Sequence, residues 1–154
     1  MAWRDAFRGA VNELLASPVS RSDKARLVAV LIQHPRRYHW VGLYDVSSDQ
    51  ITAIAWTGKE PPAFPTFPVS KGISGAAVAE KKPVIVQDVS KDERYLTTFG
   101  TTRSEAIFPV LSADQETVLG TIDIESDRVD AFAAEDEAFL SECAVLLRPL
   151  WQNP

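Results

Sequence analysis

The sequence of 154 residues has one cysteine, two histidines and no long apolar run. A single cysteine excludes an intramolecular disulfide and a cysteine-rich metal site, and it fits a reducing cytoplasm. No segment approaches the roughly 20 apolar residues that a membrane-spanning helix needs. The first residues include acids and lack the apolar stretch of a signal peptide. We therefore expect a cytoplasmic protein with no bound metal and no cofactor.

Acidic residues outnumber basic ones: the sequence has 21 Asp and Glu and 16 Lys and Arg, which gives a net charge of -5. Nucleic acids and anionic membranes attract basic surfaces, so we expect neither as a partner. The length and the hydrophobic content of 45% suit one domain with a sizeable core. The sequence therefore predicts a single domain over residues 1–154.

Hydrophobic periodicity predicts helices at both ends of the chain. The first covers residues 3–16, and the second opens at a Ser20–Asp23 capping box and ends before Pro35. The predicted buried stripe of the second helix is Leu27, Val28, Leu31 and Ile32. The predicted buried stripe of the C-terminal helix is Phe139, Leu140, Cys143, Leu146, Leu147 and Leu150. Pro149 limits the end of this helix.

Between these helices the pattern is mainly that of strands. Four prolines in residues 58–68 predict an irregular, stiff loop, and its Phe64 and Phe67 need cover, so we expect this loop to form a lid. A short alanine-rich helix follows, and Pro109 predicts a bulge or an edge in the final hairpin. The order indicates an α+β domain with a mostly antiparallel sheet of five or six strands. N- and C-terminal helices cover one face, and a loop-covered pocket lies on the other.

The hairpin over residues 103–126 carries the most informative pattern. Alternation places Asp123 and Glu125 on the face opposite to the apolar residues of their strand. If Glu105 shares that face, three carboxylates converge, and their repulsion raises at least one pKa until a cation arrives. A divalent metal is a competing guest, since hard cations favour oxygen ligands. A solvent-facing, salt-bridged strand is the alternative interpretation.

Several motifs together resemble a GAF domain. They are WVGLY, GISGAAVAEKKPVIVQDV, TTRSEAIFPV, VLGTIDIES and DAFAAEDEAFL. The motifs are similar to those of the free methionine-(R)-sulfoxide reductases, which are stand-alone GAF enzymes. This resemblance implies an aromatic pocket wall at Trp40 and Tyr44. It implies ligand-holding carboxylates at Glu105, Asp123 and Glu125.

The cysteines of those reductases are missing from the matching motifs. Ser74 stands where the family has a cysteine in its G-x-x-C-G turn, and spacing places two other family cysteines near Phe64 and Thr98. We interpret Cys143 as an inert core residue. Sulfoxide reduction needs a thiolate that attacks sulfur and a thiol that resolves the sulfenic acid, and a serine hydroxyl cannot do either. We therefore expect no catalytic residue of this type, with the ligand cradle retained.

These patterns predict a stand-alone sensory or regulatory GAF domain that binds an amino-acid-like polar metabolite. The acids on the last strand would hold an ammonium group, the aromatics would form walls, and Glu105 would bond the variable end. Backbone N–H groups near Ser74 could hold an anion. The predicted ligand-binding residues are Trp40, Tyr44, Ser74, Glu105, Asp123 and Glu125.

Two alternatives remain open. One is an enzyme, either a divergent free methionine-(R)-sulfoxide reductase or a hydrolase that uses the carboxylates as general acid and base. The other is a domain whose pocket Phe64 and Phe67 fill, and which acts as a protein-interaction module. In the absence of an output domain, a signal would pass through a partner or a homodimer, and the terminal helices are the candidate interface.

Overall fold

The computed structural model describes residues 2–152 and contains one six-stranded sheet with the order β3-β2-β1-β6-β5-β4. Every pair of neighbouring strands is antiparallel. The strands are β1 Trp40–Val46, β2 Gln50–Trp56, β3 Thr66–Pro68, β4 Val84–Val86, β5 Ser104–Leu111 and β6 Val118–Ser126. The predicted α+β class and antiparallel sheet are confirmed. Met1, Asn153 and Pro154, which the single-domain prediction includes, lie outside the described residues.

Helices cover the two faces of the sheet unequally. The helices are α1 Ala2–Ala16, α2 Arg21–Arg36, α3 Gly72–Glu80, α4 Ala134–Leu146 and α5 Pro149–Gln152. The large core lies between the four terminal helices and one face, where Ile32 of α2 and Leu140 of α4 join Val41 and Ile122 of the sheet. Helix α3 packs on the other face against Ile107. The strand β6 is central, which places the face that carries Asp123 and Glu125 beneath α3 and the loops.

Strand β1 alternates between the two faces of the sheet, as the last strand of the hairpin was predicted to do. Val41 and Leu43 enter the large core, whereas Trp40 and Tyr44 form a separate cluster on the opposite face. A register shift between Val110 and Leu111, one residue beyond Pro109, supplies the expected bulge. Strand β4 pairs only as far as Val84 opposite Ile107, so Pro109 needs no donor on that side.

The second helix differs from its prediction in its end and its buried stripe. Pro35 lies inside the last turn, the helix ends at Arg36, and its C-cap residue Arg37 has a left-handed φ of 55°. Proline has no N–H, so the last turn lacks one backbone bond, and beyond it the N–H of Tyr38 donates to the carbonyl of Gln33 at 3.1 Å. The buried residues are Ala25, Val28, Ala29 and Ile32, while Leu27 is 41% exposed and Leu31 is half-buried. Ala25 and Ala29 face the sheet, and their small side chains allow α2 to lie close to it.

Two further predictions are corrected at prolines. The segment predicted to be irregular contains β3, in which Pro68 pairs with Gln50 at the outer edge of the sheet, where a missing N–H costs no ladder bond. The C-terminal helix does not continue to Leu150. It ends at Leu146, and Pro149 opens α5, a position where proline is favoured. Leu150 is still buried, so the predicted apolar stripe spans two helices.

Among residues 2–152 no helix is both long enough and apolar enough to span a bilayer.

Candidate functional site

Three acids meet on the face of the sheet beneath α3, and we call Glu105, Asp123 and Glu125 the acid triad. Glu105 of β5 lies directly opposite Glu125 of β6, and Asp123 follows two residues along the same face. One oxygen from each carboxylate lies within 4.8 Å of the others. The three residues are only 4%, 3% and 0% exposed in chain order. The conditional prediction that the carboxylates converge is therefore confirmed, and the solvent-facing alternative is wrong.

Few other protein groups form hydrogen bonds or ion pairs with the carboxyl groups of the triad. The hydroxyl of Thr102 donates to Oε1 of Glu125 at 2.7 Å. Within residues 2–152, Oε2 of Glu125 and Oδ1 of Asp123 have no hydrogen-bond partner, and no lysine or arginine forms an ion pair with the triad. Burying carboxylates without a counter-charge is costly. The triad consequently requires protons or a cation.

Burial is the main cause of a raised pKa at all three carboxyls. The neighbouring negative charges raise the pKa of Glu105 further, and the charge of Glu125 does the same to Asp123. Hydrogen bonds from Thr102 first, and then from Thr98 and the other two carboxyls, lower the pKa of Glu125 and so oppose the shift. The ligand-free triad therefore holds protons at a pH where ordinary carboxyls are ionised.

A small cavity lies against the triad. Its lining residues come from the strands β1, β5 and β6, the proline-rich segment, the start of α3 and the loop before β5. They are Tyr44, Phe64, Phe67, Gly72, Ile73, Ser74, Leu96, Thr98, Glu105 and Asp123. The cavity has a volume of ≈ 20 Å³. That is room for about one water molecule. The lid expected over the pocket is present, and in this structure it is shut.

The structure brings four of the six predicted ligand-binding residues to this cavity, namely Tyr44, Ser74, Glu105 and Asp123. Trp40 and Glu125 do not line it. Trp40 is 5% exposed and packs edge-on against Phe99 with ring centroids 5.4 Å apart. Both are buried neighbours of residues that do line it, because Trp40 clusters with Tyr44 and Glu125 lies opposite Glu105 in the sheet.

The first turn of α3 lies opposite the acids. Its N-cap residue, Lys71, makes no side-chain capping bond, and Gly72 has the left-handed φ of 74°. The first N–H groups of a helix have no intrahelical acceptor and carry partial positive charge. Gly72, Ile73 and Ser74, at this electropositive end of the helix, line the same cavity as Glu105 and Asp123.

The positions at or near which the motif resemblance places the cysteines of the reductases also converge here. Phe64, Ser74 and Thr98 all line the cavity. Cys143, in contrast, is fully buried in the core on the helix-covered face. Burial raises the pKa of its thiol well above the ordinary value. Its interpretation as an inert core residue is consistent with this position.

The contribution of the loop before β5 to the site is not apparent from the amino-acid sequence. Thr102 anchors Glu125, Leu96 lines the cavity, and Phe99 packs on Trp40. This loop has no periodicity beyond the one 3₁₀ turn Val89–Lys91, so pattern analysis gives no direction for its side chains. The only available signal was the position of Thr102 just before the strand that carries Glu105.

A glycine on β1 makes room for the aromatic residues of the site. A Cβ at Gly42 would overlap the indole of Trp40 and lie 3.0 Å from Cε1 of Tyr44. We therefore expect Gly42→Ala to displace both rings and to cost about 1–3 kcal/mol of unfolding free energy. Gly9→Ala is the matched control, because nothing lies within 4 Å of its Cβ, and it should gain up to about 1 kcal/mol in α1. Urea denaturation measures both changes, and equal effects would contradict the packing argument.

Residues 25–148 match the family model of the GAF domain. The chain belongs to the GAF domain family, as the motifs indicated. It is 27% identical over 120 residues to GAF domain-containing protein A of Dictyostelium discoideum, covering 78% of this chain and 74% of that protein. It is 33% identical over 110 residues to the free methionine-R-sulfoxide reductase of Saccharomyces cerevisiae, covering 71% and 61%. The structure of a type II free methionine-R-sulfoxide reductase from Thermoplasma acidophilum superposes with a TM-score of 0.76 at 30% identity, covering 87% of this chain and 96% of the other.

Proposed function

We propose that this chain is a sensory or regulatory GAF domain whose cavity binds a small amino-acid-like metabolite without redox catalysis. The observation that carries the proposal is the acid triad, which is buried and lacks a counter-charge from residues 2–152. An ammonium group supplies positive charge and several donors to such a site. Binding would therefore remove the cost of burying the carboxylates.

The opposite wall of the cavity favours a zwitterion over a simple amine. The start of α3 offers unpaired N–H groups to a ligand carboxylate, while Glu105 and Asp123 face its ammonium group. The ring of Tyr44 adds an aromatic surface and packs edge-on against Phe67, with centroids 6.0 Å apart. A cation near such a ring gains roughly 0.5–2 kcal/mol. These groups suit a free α-amino acid or a close derivative.

Methionine sulfoxide reductase activity is the principal alternative, and the reductases of yeast and Thermoplasma acidophilum among the similar proteins support it. The chemistry argues against it, because Ser74, Phe64 and Thr98 provide no thiol at the cavity. The one thiol is that of the buried Cys143, on the other face of the sheet. We expect methionine-(R)-sulfoxide to be a candidate ligand that is bound and released unchanged.

The small volume of the cavity favours a second candidate, the pocket-filled interaction module. Phe67 is half-buried against Tyr44, whereas Phe64 is 47% exposed. A ligand the size of an amino acid therefore requires the proline-rich segment to move outward. If that movement does not occur, the apolar groove between α1 and α2, which includes Trp3, Phe7 and Leu31, is the candidate interface for a partner or a second copy.

Calorimetric and thermal-shift titrations with free amino acids and methionine-(R)-sulfoxide test the proposal. A ligand at a hundredfold excess over its Kd should add about 2.7 kcal/mol of stability, or several degrees in Tm. Asp123→Asn should abolish the shift. Asp127→Asn should retain it, because Asp127 is exposed at the end of the same strand.

Two outcomes would count against this function. Release of methionine from the sulfoxide in the presence of a thiol reductant would support the reductase alternative. A response to none of the amino acids, with the folded state verified by circular dichroism, would support the filled pocket.

A further inference from the structure

The acid triad has the dimensions of a site for a single hard cation. Its three ligand oxygens lie within 4.8 Å of one another. Oxygens that coordinate Ca²⁺ at 2.3–2.6 Å stand about 3–5 Å apart, depending on whether they are adjacent or opposite. This spacing allows one ion to contact all three residues, of which Glu105 and Asp123 line the cavity and Glu125 lies directly opposite Glu105.

Unpaired oxygen atoms beside the triad provide a second observation. Thr121 shares the face of β6 with Asp123 and Glu125, is fully buried, and its Oγ1 has no hydrogen-bond partner among residues 2–152. Oδ1 of Asp123 and Oε2 of Glu125 are unpaired as well. Buried hydroxyls and carboxylates nearly always have partners. All three atoms are oxygen acceptors, the type of ligand that hard divalent cations prefer.

The size of the cavity distinguishes a metal ion from the ammonium group of an amino acid. Its volume of ≈ 20 Å³ admits one water molecule or one ion. An amino acid requires the proline-rich segment to open, whereas an ion does not. The closed structure thus matches a small occupant better than an organic one.

We propose that the acid triad, in the closed structure, binds one divalent cation of the Ca²⁺ class. Each carboxylate can offer two oxygens, so the three residues alone can supply the lower end of the six to eight ligands that Ca²⁺ accepts in flexible geometry. Mg²⁺ fits less well because it retains several waters, for which the cavity has no room. The metal and the ammonium group of the ligand under the proposed function would compete for the same carboxylates.

The test uses protein stripped of metal with a chelator and titrated with Ca²⁺, Mg²⁺ or Mn²⁺ near neutral pH. Isothermal calorimetry should show one Ca²⁺ per chain, and Mn²⁺ should give one bound ion by paramagnetic resonance. Glu105→Gln and Asp123→Asn should each weaken binding at least tenfold, and Asp127→Asn should leave it unchanged. Both triad variants replace a carboxylate with an amide of the same shape and remove repulsion, so they are expected to fold.

The competing occupants give different results. Absence of Ca²⁺ and Mn²⁺ binding up to about 10 mM, above the range of weak calcium sites, overturns the inference. An amino acid that stabilises the stripped protein while the metals do not also overturns it, and leaves the proposed function intact. Metal binding that the triad variants abolish, without any amino-acid response, supports the metal site and counts against the proposed function.

Discussion

Replacing Asp136 by alanine is expected to lower the free energy of unfolding by about 3 kcal/mol, because the substitution strands several buried polar groups at once. Oδ1 of Asp136 accepts from Nε of Arg36 at 2.9 Å and from the hydroxyl of Tyr38 at 2.7 Å. Oδ2 accepts from the N–H of Ala133 at 2.8 Å. These bonds join the end of α2, the residue two before β1 and the start of α4.

The carboxylate of Asp136 is ionised in spite of its burial. Burial opposes ionisation, but the hydrogen bonds from Arg36, Ala133 and Tyr38 outweigh it and hold the pKa below its usual value. Its side chain is 4% exposed, so water cannot replace the lost bonds. Alanine would leave the Tyr38 hydroxyl and the N–H of Ala133 without their acceptors.

Glu135→Ala is the matched control for this substitution. Glu135 also pairs with Arg36, at 3.1 Å, but its side chain is 63% exposed, and exposed pairs contribute about 0–1 kcal/mol. Thermal unfolding should show a decrease in Tm of about 6–12 °C for Asp136→Ala and little change for Glu135→Ala. Similar small losses for both variants would show that water or a rearranged Arg36 satisfies the network.

The Asp136 network marks a limit of sequence analysis. Glu135, Asp136 and Glu137 all lie in the first turn of α4, where acids are favourable, so position in the sequence does not distinguish them. The structure singles out Asp136 because Arg36 and Tyr38, which are 100 and 98 positions away, meet it in space. Local spacing holds no information on such a pairing.

Side-chain alternation was informative where a strand has one apolar face. The period of two separates Asp123 and Glu125 from Ile122 and Ile124 without any tertiary knowledge. Convergence with Glu105 depended on hairpin register, which alternation alone leaves open and the observed pairing of Glu105 with Glu125 supplies. The motif resemblance added the positions of the absent cysteines, which line one cavity.

Helix boundaries and loop conformation were predicted less well. Pro35 and Pro149 were both treated as helix ends, yet one lies within a last turn and the other opens a helix. Both positions are compatible with proline, so its presence alone does not choose between them. The closure of the cavity depends on how the loops that carry Phe64 and Leu96 pack, and neither loop has a periodic pattern.

Lowering the pH from about 7 to about 5 is expected to stabilise the protein free of ligand and metal, in contrast to the usual acid response. Burial raises the pKa of all three carboxyls of the triad in the folded state. In the unfolded chain these groups titrate near their ordinary values of about 4. Across the interval above pH 4 the folded state therefore binds more protons than the unfolded state.

The sign of the effect follows from this difference in bound protons. Stability from the protonated triad is fully present below about pH 4 and is lost as the pH rises through the raised pKa values. Each excess proton changes the unfolding free energy by about 1.4 kcal/mol per pH unit. Asp136 acts in the opposite direction, but its pKa is lowered, so its contribution declines only as the pH falls below about 4.

Two tyrosines also lie near the triad, and neither titrates between pH 5 and pH 7. Burial raises the pKa of Tyr95 to about 12 and that of Tyr44 further above its ordinary value. Both hydroxyls therefore stay neutral below pH 8. Urea denaturation at a series of pH values should show a gain of about 1–3 kcal/mol between pH 7 and pH 5. The doubly substituted variant Glu105→Gln, Asp123→Asn should lose most of this dependence and should be more stable than the parent at pH 7.

A cation bound at the triad is expected to reverse the pH dependence of the unfolding free energy. An ammonium group or a metal ion favours the ionised carboxylates, so its binding releases the protons that the empty triad holds. With a bound cation, stability should rise with pH over the same interval, because the cation must compete with protons at the acidic end. A ligand-free protein whose stability increases from pH 5 to pH 7 would mean that its triad is already ionised. In that case a counter-cation retained through purification would have to be identified by elemental analysis before any ligand titration is interpreted.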